Sequence, residues 1–79
     1  MTKKEFISTI SWDEIDSKYN WVAVDADGDV YLFEDKPLQD LWYKQHTPKG
    51  FSSWEFFSSI SPIENWEKFV FIRPKNNKK

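Results

Sequence analysis

The sequence predicts a small α+β domain: an antiparallel sheet of three to five strands with short capped helical turns packed on it. Three observations carry this. Residues 21–34 form two β-branched and aromatic runs around Asp27-Gly28, the signature of a β-hairpin. Two Ser-x-x-Glu capping boxes, Ser11–Glu14 and Ser61–Glu64, each open a turn containing tryptophan. Five Trp, three Tyr and seven Phe stand in a 79-residue chain without cysteine. The core of so small a domain must then rest on rings rather than disulfides or thiolate zinc.

Residues 1–5 read as a frayed start. Phe6 to Ile10 has the β-branched and aromatic content of a short strand. Ser11 at an N-cap, with Glu14 three residues on, places a helical turn near 12–17. Trp21 to Asp25 and Val30 to Glu34 are the strands of the central hairpin, 21–34. Two connections are open. A two-residue Asp27-Gly28 loop pairs Val24 with Tyr31 and Val22 with Phe33. A three-residue loop with Gly28 left-handed pairs Asp25 with Asp29, Val24 with Val30, Val22 with Leu32, Ala23 with Tyr31 and Trp21 with Phe33. The second is preferred, because it separates an all-aliphatic face from a mostly aromatic one.

Asp35 and Pro37 suit the start of a helical turn near 37–45, where Leu38, Leu41 and Trp42 fall at i, i+3 and i+4. His46-Thr-Pro-Lys-Gly50 breaks it as a loop. Residues 51–60 alternate partly through Trp54, Phe56, Ser58 and Ile60, a third strand. Pro62 within the second capping box starts a turn near 62–68. Phe69 to Arg73 is a final strand stopped by Pro74. The whole, 1–79, is one domain, with 74–79 a flexible basic tail.

Charge is distributed unevenly. Residues 12–35 hold eight acids against Lys18. Residues 36–79 hold eight bases against four acids. No apolar run approaches the roughly 20 residues that span a bilayer. The basic N-terminus is not followed by the continuous apolar stretch of a signal peptide. The expectation is a cytoplasmic protein with no membrane partner.

The motifs that carry chemistry are weak. Asp25-x-Asp27-x-Asp29 begins like a calcium loop, but an EF-hand needs Gly at position six and Glu at twelve. Counted from Asp25, Gly28 is fourth and Lys36 twelfth. His46, the single histidine, stands in a polar stretch with no nucleophile elbow nearby. The two glycines make no phosphate-binding loop. The chain is therefore read as non-enzymatic, with no catalytic residue, metal or cofactor.

The run Tyr19 to Pro37, YNWVAVDADGDVYLFEDKP, with Trp42, Trp66, Arg73 and Pro74 further on, resembles a loose group of small uncharacterised bacteriophage proteins. The resemblance brings no catalytic residues. It departs between Trp54 and Ile60. It implies a phage accessory protein acting in the host cytoplasm. Such a protein would bind a host or competing-phage protein, as an inhibitor of a regulator or defence component.

The residues themselves offer a surface for that role. Asp25, Asp27 and Asp29 form an acidic hairpin tip that would steer a basic partner, and Trp21, Tyr31 and Phe33 an aromatic face that would anchor it. Trp12, Trp42 and Trp66 either cover the thin core or, one or two of them, anchor a partner or a homodimer. The alternative is a single-stranded nucleic-acid binder in which Phe69 and Phe71 stack bases and Arg73 and Lys75 meet phosphates. The net charge of −2 weighs against it.

Overall fold

The computed structural model describes residues 1–75. Of the basic tail expected over 74–79, residues 76–79 lie outside the described residues. One α-helix, α1 (Lys3–Ile7), precedes a 3-10 turn (Trp12–Glu14) and six strands: β1 (Trp21–Val24), β2 (Asp29–Phe33), β3 (Leu38–Asp40), β4 (Gln45–Thr47), β5 (Trp54–Ser59) and β6 (Val70–Ile72). A second 3-10 turn (Trp66–Lys68) leads into β6. The small α+β class is as the sequence predicts.

The hairpin β1–β2 takes the three-residue connection. Trp21 faces Phe33, Val22 faces Leu32, Ala23 faces Tyr31 and Val24 faces Val30. The Gly28 N–H donates to the Asp25 carbonyl (2.9 Å), and the Asp25 N–H donates to the Asp29 carbonyl (2.9 Å). Gly28 has φ +96°, the left-handed conformation that closes this loop. The Asp27 carboxylate accepts the Asp29 N–H (3.0 Å) and stiffens the turn.

Two strands extend the hairpin into one antiparallel sheet in the order β5-β2-β1-β6. Its aliphatic face, Val22, Val24, Val30 and Leu32, is buried under Phe6, Ile15, Tyr19 and Phe69. Phe6 meets Phe69 edge-on (5.9 Å) and stacks on Phe71 (5.6 Å). Arg73 binds the N-terminal segment to the sheet. Its guanidinium donates to the carbonyls of Trp12 (3.1 Å), Asp16 (2.9 Å) and Tyr19 (2.8 Å).

Three local expectations are corrected. Phe6–Ile10 is not a strand: the chain is helical from Lys3, because Thr2 and Glu5 close a reciprocal capping box. The Thr2 N–H bond to the Glu5 carboxylate (2.8 Å) holds that carboxyl below its ordinary value. The helical turn near 37–45 is instead the hairpin β3–β4, pairing Leu38 with Thr47, Gln39 with His46 and Asp40 with Gln45. The Asp40 carboxylate accepts the N–H groups of Trp42 (3.0 Å) and Tyr43 (3.2 Å), and Lys44 turns the chain back at φ 55°. A side-chain acceptor offered to these backbone donors competes with helix formation. The third correction concerns the serine caps. Neither Ser11 nor Ser61 makes a capping bond: the first turn is only Trp12–Glu14, and the second starts after Asn65. The third strand, β5, pairs with β2 and carries a bulge at Phe57, so Val30 faces Ser58 while Tyr31 faces Phe56.

Candidate protein-binding surface

The second face of the sheet is ruled by the hairpin register. Trp21, Phe33, Trp54 and Ile72 form one rank across the strands, and Ala23, Tyr31, Phe56 and Val70 the next. Tyr31 meets Trp54 (5.7 Å) and Phe56 (5.6 Å) edge-on. The aromatic face expected from the sequence is present, but it is partly covered. The hairpin β3–β4 lies across it, tied to the turn of β1–β2 by the Ala26 N–H donating to the Lys44 carbonyl (3.0 Å). Gln39 donates to the Glu67 carbonyl within the second 3-10 turn (2.6 Å). Phe33 is consequently buried, Trp21 and Tyr31 half-buried. Lys36 extends over the Trp21 ring (5.7 Å).

The acidic tip is likewise divided. Asp25 is 6% exposed, not free in solvent. One of its oxygens accepts the backbone N–H of His46 (2.7 Å), and the His46 Nδ1 lies 3.5 Å from that same oxygen. Of the three, Asp27 is exposed and Asp29 partly buried. Burial, then the charges of Asp27 and Asp25, push the Asp29 carboxyl above its ordinary value. A partner therefore meets two acids at this turn, not three.

His46 is not in a polar loop. It sits in β4, buried, edge-on to Trp66 at 5.2 Å. Neither ring nitrogen has a hydrogen-bond partner. A pocket of about 110 Å³ lies between it, Asp25, Tyr31 and Trp54. No hydroxyl is hydrogen-bonded to the ring, so the geometry assembles no nucleophile–base pair around it. Among the described residues no three His, Asp or Glu side chains are gathered to hold a metal ion.

The residues of the nucleic-acid alternative serve the fold. Phe69 has no exposed surface, and Phe71 packs against the core. Arg73 spends its donors on backbone carbonyls and lies over the Trp12 ring (4.8 Å). Lys75 alone is exposed and unengaged in this geometry. Phe69 therefore offers a base no ring surface, and Phe71 only part of one.

The most exposed large apolar residues stand elsewhere. Leu41 (66%), Trp42 (85%) and Tyr43 (70%) crown the β3–β4 turn. Phe51, Trp54 and Phe56 expose half or more of their surface along the loop before β5 and on that strand. The helical spacing of Leu38, Leu41 and Trp42 put them on one apolar stripe of a helical turn; in the β3–β4 turn Leu41 and Trp42 stand out instead. The signal that redirects them is Asp40, an acceptor placed just ahead of the turn.

Among the described residues no helix is long and apolar enough to cross a membrane. Compared with family models, curated proteins and solved structures, the chain gives no match.

Proposed function

We propose that this chain is a non-enzymatic binding domain whose target is another protein, anchored by Trp42 and Tyr43. One observation carries the proposal: three consecutive apolar residues are held out in solvent on a turn whose backbone is fixed by Asp40. Exposing them gives the fold nothing. Contiguous exposed apolar surface, Trp and Tyr above all, is what partner-binding surfaces use as anchors. A pre-formed turn also loses little entropy on binding. The complementary partner has an apolar pocket for the Trp42 ring and a basic rim facing Asp27 and Asp29.

The hairpin resemblance supplies the biological setting: a bacteriophage accessory protein that inhibits a host or competing-phage component in the host cytoplasm. The test compares capture from a bacterial lysate by the parent chain and by a Trp42→Ala/Tyr43→Ala variant. A partner retained by the first and lost by the second, at unchanged melting temperature, supports the proposal. Partners that bind both equally sink it.

A further inference from the structure

From the walls of the pocket beside His46 we infer a binding site for a methylated ammonium group, the head of either a methylated lysine side chain or a small free amine. The site is distinct from the Trp42–Tyr43 anchor and does not rest on it.

Three aromatic rings and one acid make the pocket. β2 supplies Tyr31 and Phe33, β5 supplies Trp54, the β1–β2 turn supplies Asp25, and β4 supplies Gln45 and His46. Phe33 is paired with Trp54 across the sheet, and Tyr31, two residues from Phe33, shares their face. The Tyr31 ring is inclined to Trp54 by 63° at 5.7 Å and to Phe33 by 48° at 6.4 Å. Rings so inclined form walls rather than a stack. Phe33 is buried and makes the inner wall, while Trp54 is 53% exposed and makes the outer one. The negative face of an aromatic ring attracts a cation, most strongly where water is excluded.

The charge around the pocket selects the sign of the ligand. Asp25 is more than nine-tenths buried, and among the described residues no Lys or Arg lies within ion-pair distance of it. Its neighbour is the enclosed His46 ring, 3.5 Å away, with both nitrogens unpartnered. A buried carboxylate is stabilised by a cation beside it. The Tyr31 phenol senses the same field: burial first, then the charges of Asp29, Asp25 and Asp27, hold its proton above the ordinary value. An anion would be repelled by these acids. A metal ion would find one carboxylate and one imidazole, too few ligands to hold it.

Size and hydration narrow the class. An apolar cavity of about 150 Å³ takes a benzene ring, so a pocket of about 110 Å³ suits the slightly smaller head of a methylated ammonium. An unmethylated lysine ammonium is compact and strongly hydrated. Methyl groups spread the charge over an apolar surface that lies against the ring faces, and less hydration is lost on entry.

Titrating the isotope-labelled full chain with choline and with N-acetyl-Nε-trimethyllysine amide, while following amide and indole chemical shifts, tests this. The control is 3,3-dimethylbutan-1-ol, the uncharged isostere of choline. The expected result is saturable shifts centred on the Trp54 indole, Tyr31 and Gln45, with a dissociation constant on the order of millimolar for a cation and a response to the isostere roughly tenfold weaker. Tighter binding of the lysine derivative assigns the group to a protein side chain, and tighter binding of choline to a free amine. Trp54→Ala should weaken binding roughly tenfold. Asp25→Asn keeps an oxygen for the His46 N–H and should weaken it several-fold, while Phe51→Ala should leave it unchanged. The absence of a saturable shift with either cation at tens of millimolar overturns the inference. So does equal binding of the isostere, or a response centred on Trp42. These outcomes are read on the parent chain and need no variant to fold.

Discussion

Asp25 and His46 are joined through the backbone of one and the carboxylate of the other: the buried His46 N–H donates to Asp25 Oδ1 at 2.7 Å. That bond ties the β1–β2 turn to the β3–β4 hairpin, and it separates Asp25 from its acidic neighbours in role. Asp25→Ala leaves a buried donor without an acceptor and should destabilise by about 1–3 kcal/mol. Asp27→Ala removes one exposed turn bond and should stay below about 1 kcal/mol. Urea unfolding of both variants measures the difference. Equal losses would refute the division of roles.

Gly28 makes a second prediction about the same turn. Its φ of +96° strains any L-residue, and an added Cβ would overlap the Ile60 carbonyl oxygen. The Ile60 N–H also donates to the Gly28 carbonyl (2.8 Å), so the two backbones cannot separate without losing a bond. Gly28→Ala should destabilise by roughly 2–4 kcal/mol, beyond the strain of a left-handed residue alone. A melting temperature within a degree or two of the parent would contradict the close approach.

How far the sequence could be read depended on the range of each interaction. The β1–β2 register was legible because the short span 21–33 contains all of its determinants: the left-handed glycine at the turn and the two faces of the strands beside it. The 37–45 segment misled because Leu38, Leu41 and Trp42 have helical spacing, yet no core lies beside them to bury. The Asp40 acceptor and strand pairing decide there instead. The burial of Asp25 was hidden because its partner His46 is 21 positions away. Arg73 looked like a phosphate contact for the same reason. Its acceptors are carbonyls more than 50 positions earlier, and a carbonyl carries no sequence signature.

Arg73 gives the third prediction. Its planar fork reaches several carbonyls of residues 12–19 while its face lies on Trp12, a combination that an ammonium cannot copy. Arg73→Lys and Arg73→Ala should both destabilise, by about 2–4 kcal/mol for alanine, with little rescue by lysine. Chemical denaturation followed by fluorescence reads this directly. Full recovery by lysine would show that charge alone matters.

Acid titration should single out Asp29. Its carboxyl is raised by burial first and by Asp27 and Asp25 next, so the folded chain holds this proton more tightly than the unfolded chain does. The stabilisation from this group is complete below the free carboxyl value and is lost as pH rises through the folded value. At neutral pH the ionised carboxylate is a net cost. Asp29→Asn should raise the melting temperature at pH 7 and lose that advantage in acid. Thermal melts of both chains across the acid range check the sign. A gain that grew on acidification would reverse it.

The tryptophans supply a prediction that separates fold from binding. Trp42 is 85% exposed and Trp66 only 4%. Trp66 is edge-on to His46, so truncating it opens the space between the second 3-10 turn and β4. Trp66→Ala should cost about 3–5 kcal/mol, the range for large rings removed from a packed interior. Trp42→Ala should change stability by less than about 0.5 kcal/mol, as a surface substitution that breaks no buried contact. An aqueous quencher should reach the Trp42 indole freely and leave Trp66 protected, so Trp42→Ala removes the most quenchable part of the emission. Protection of Trp42 in dilute solution, together with a large loss of stability in Trp42→Ala, would place that ring in the core and remove the basis for reading it as an anchor.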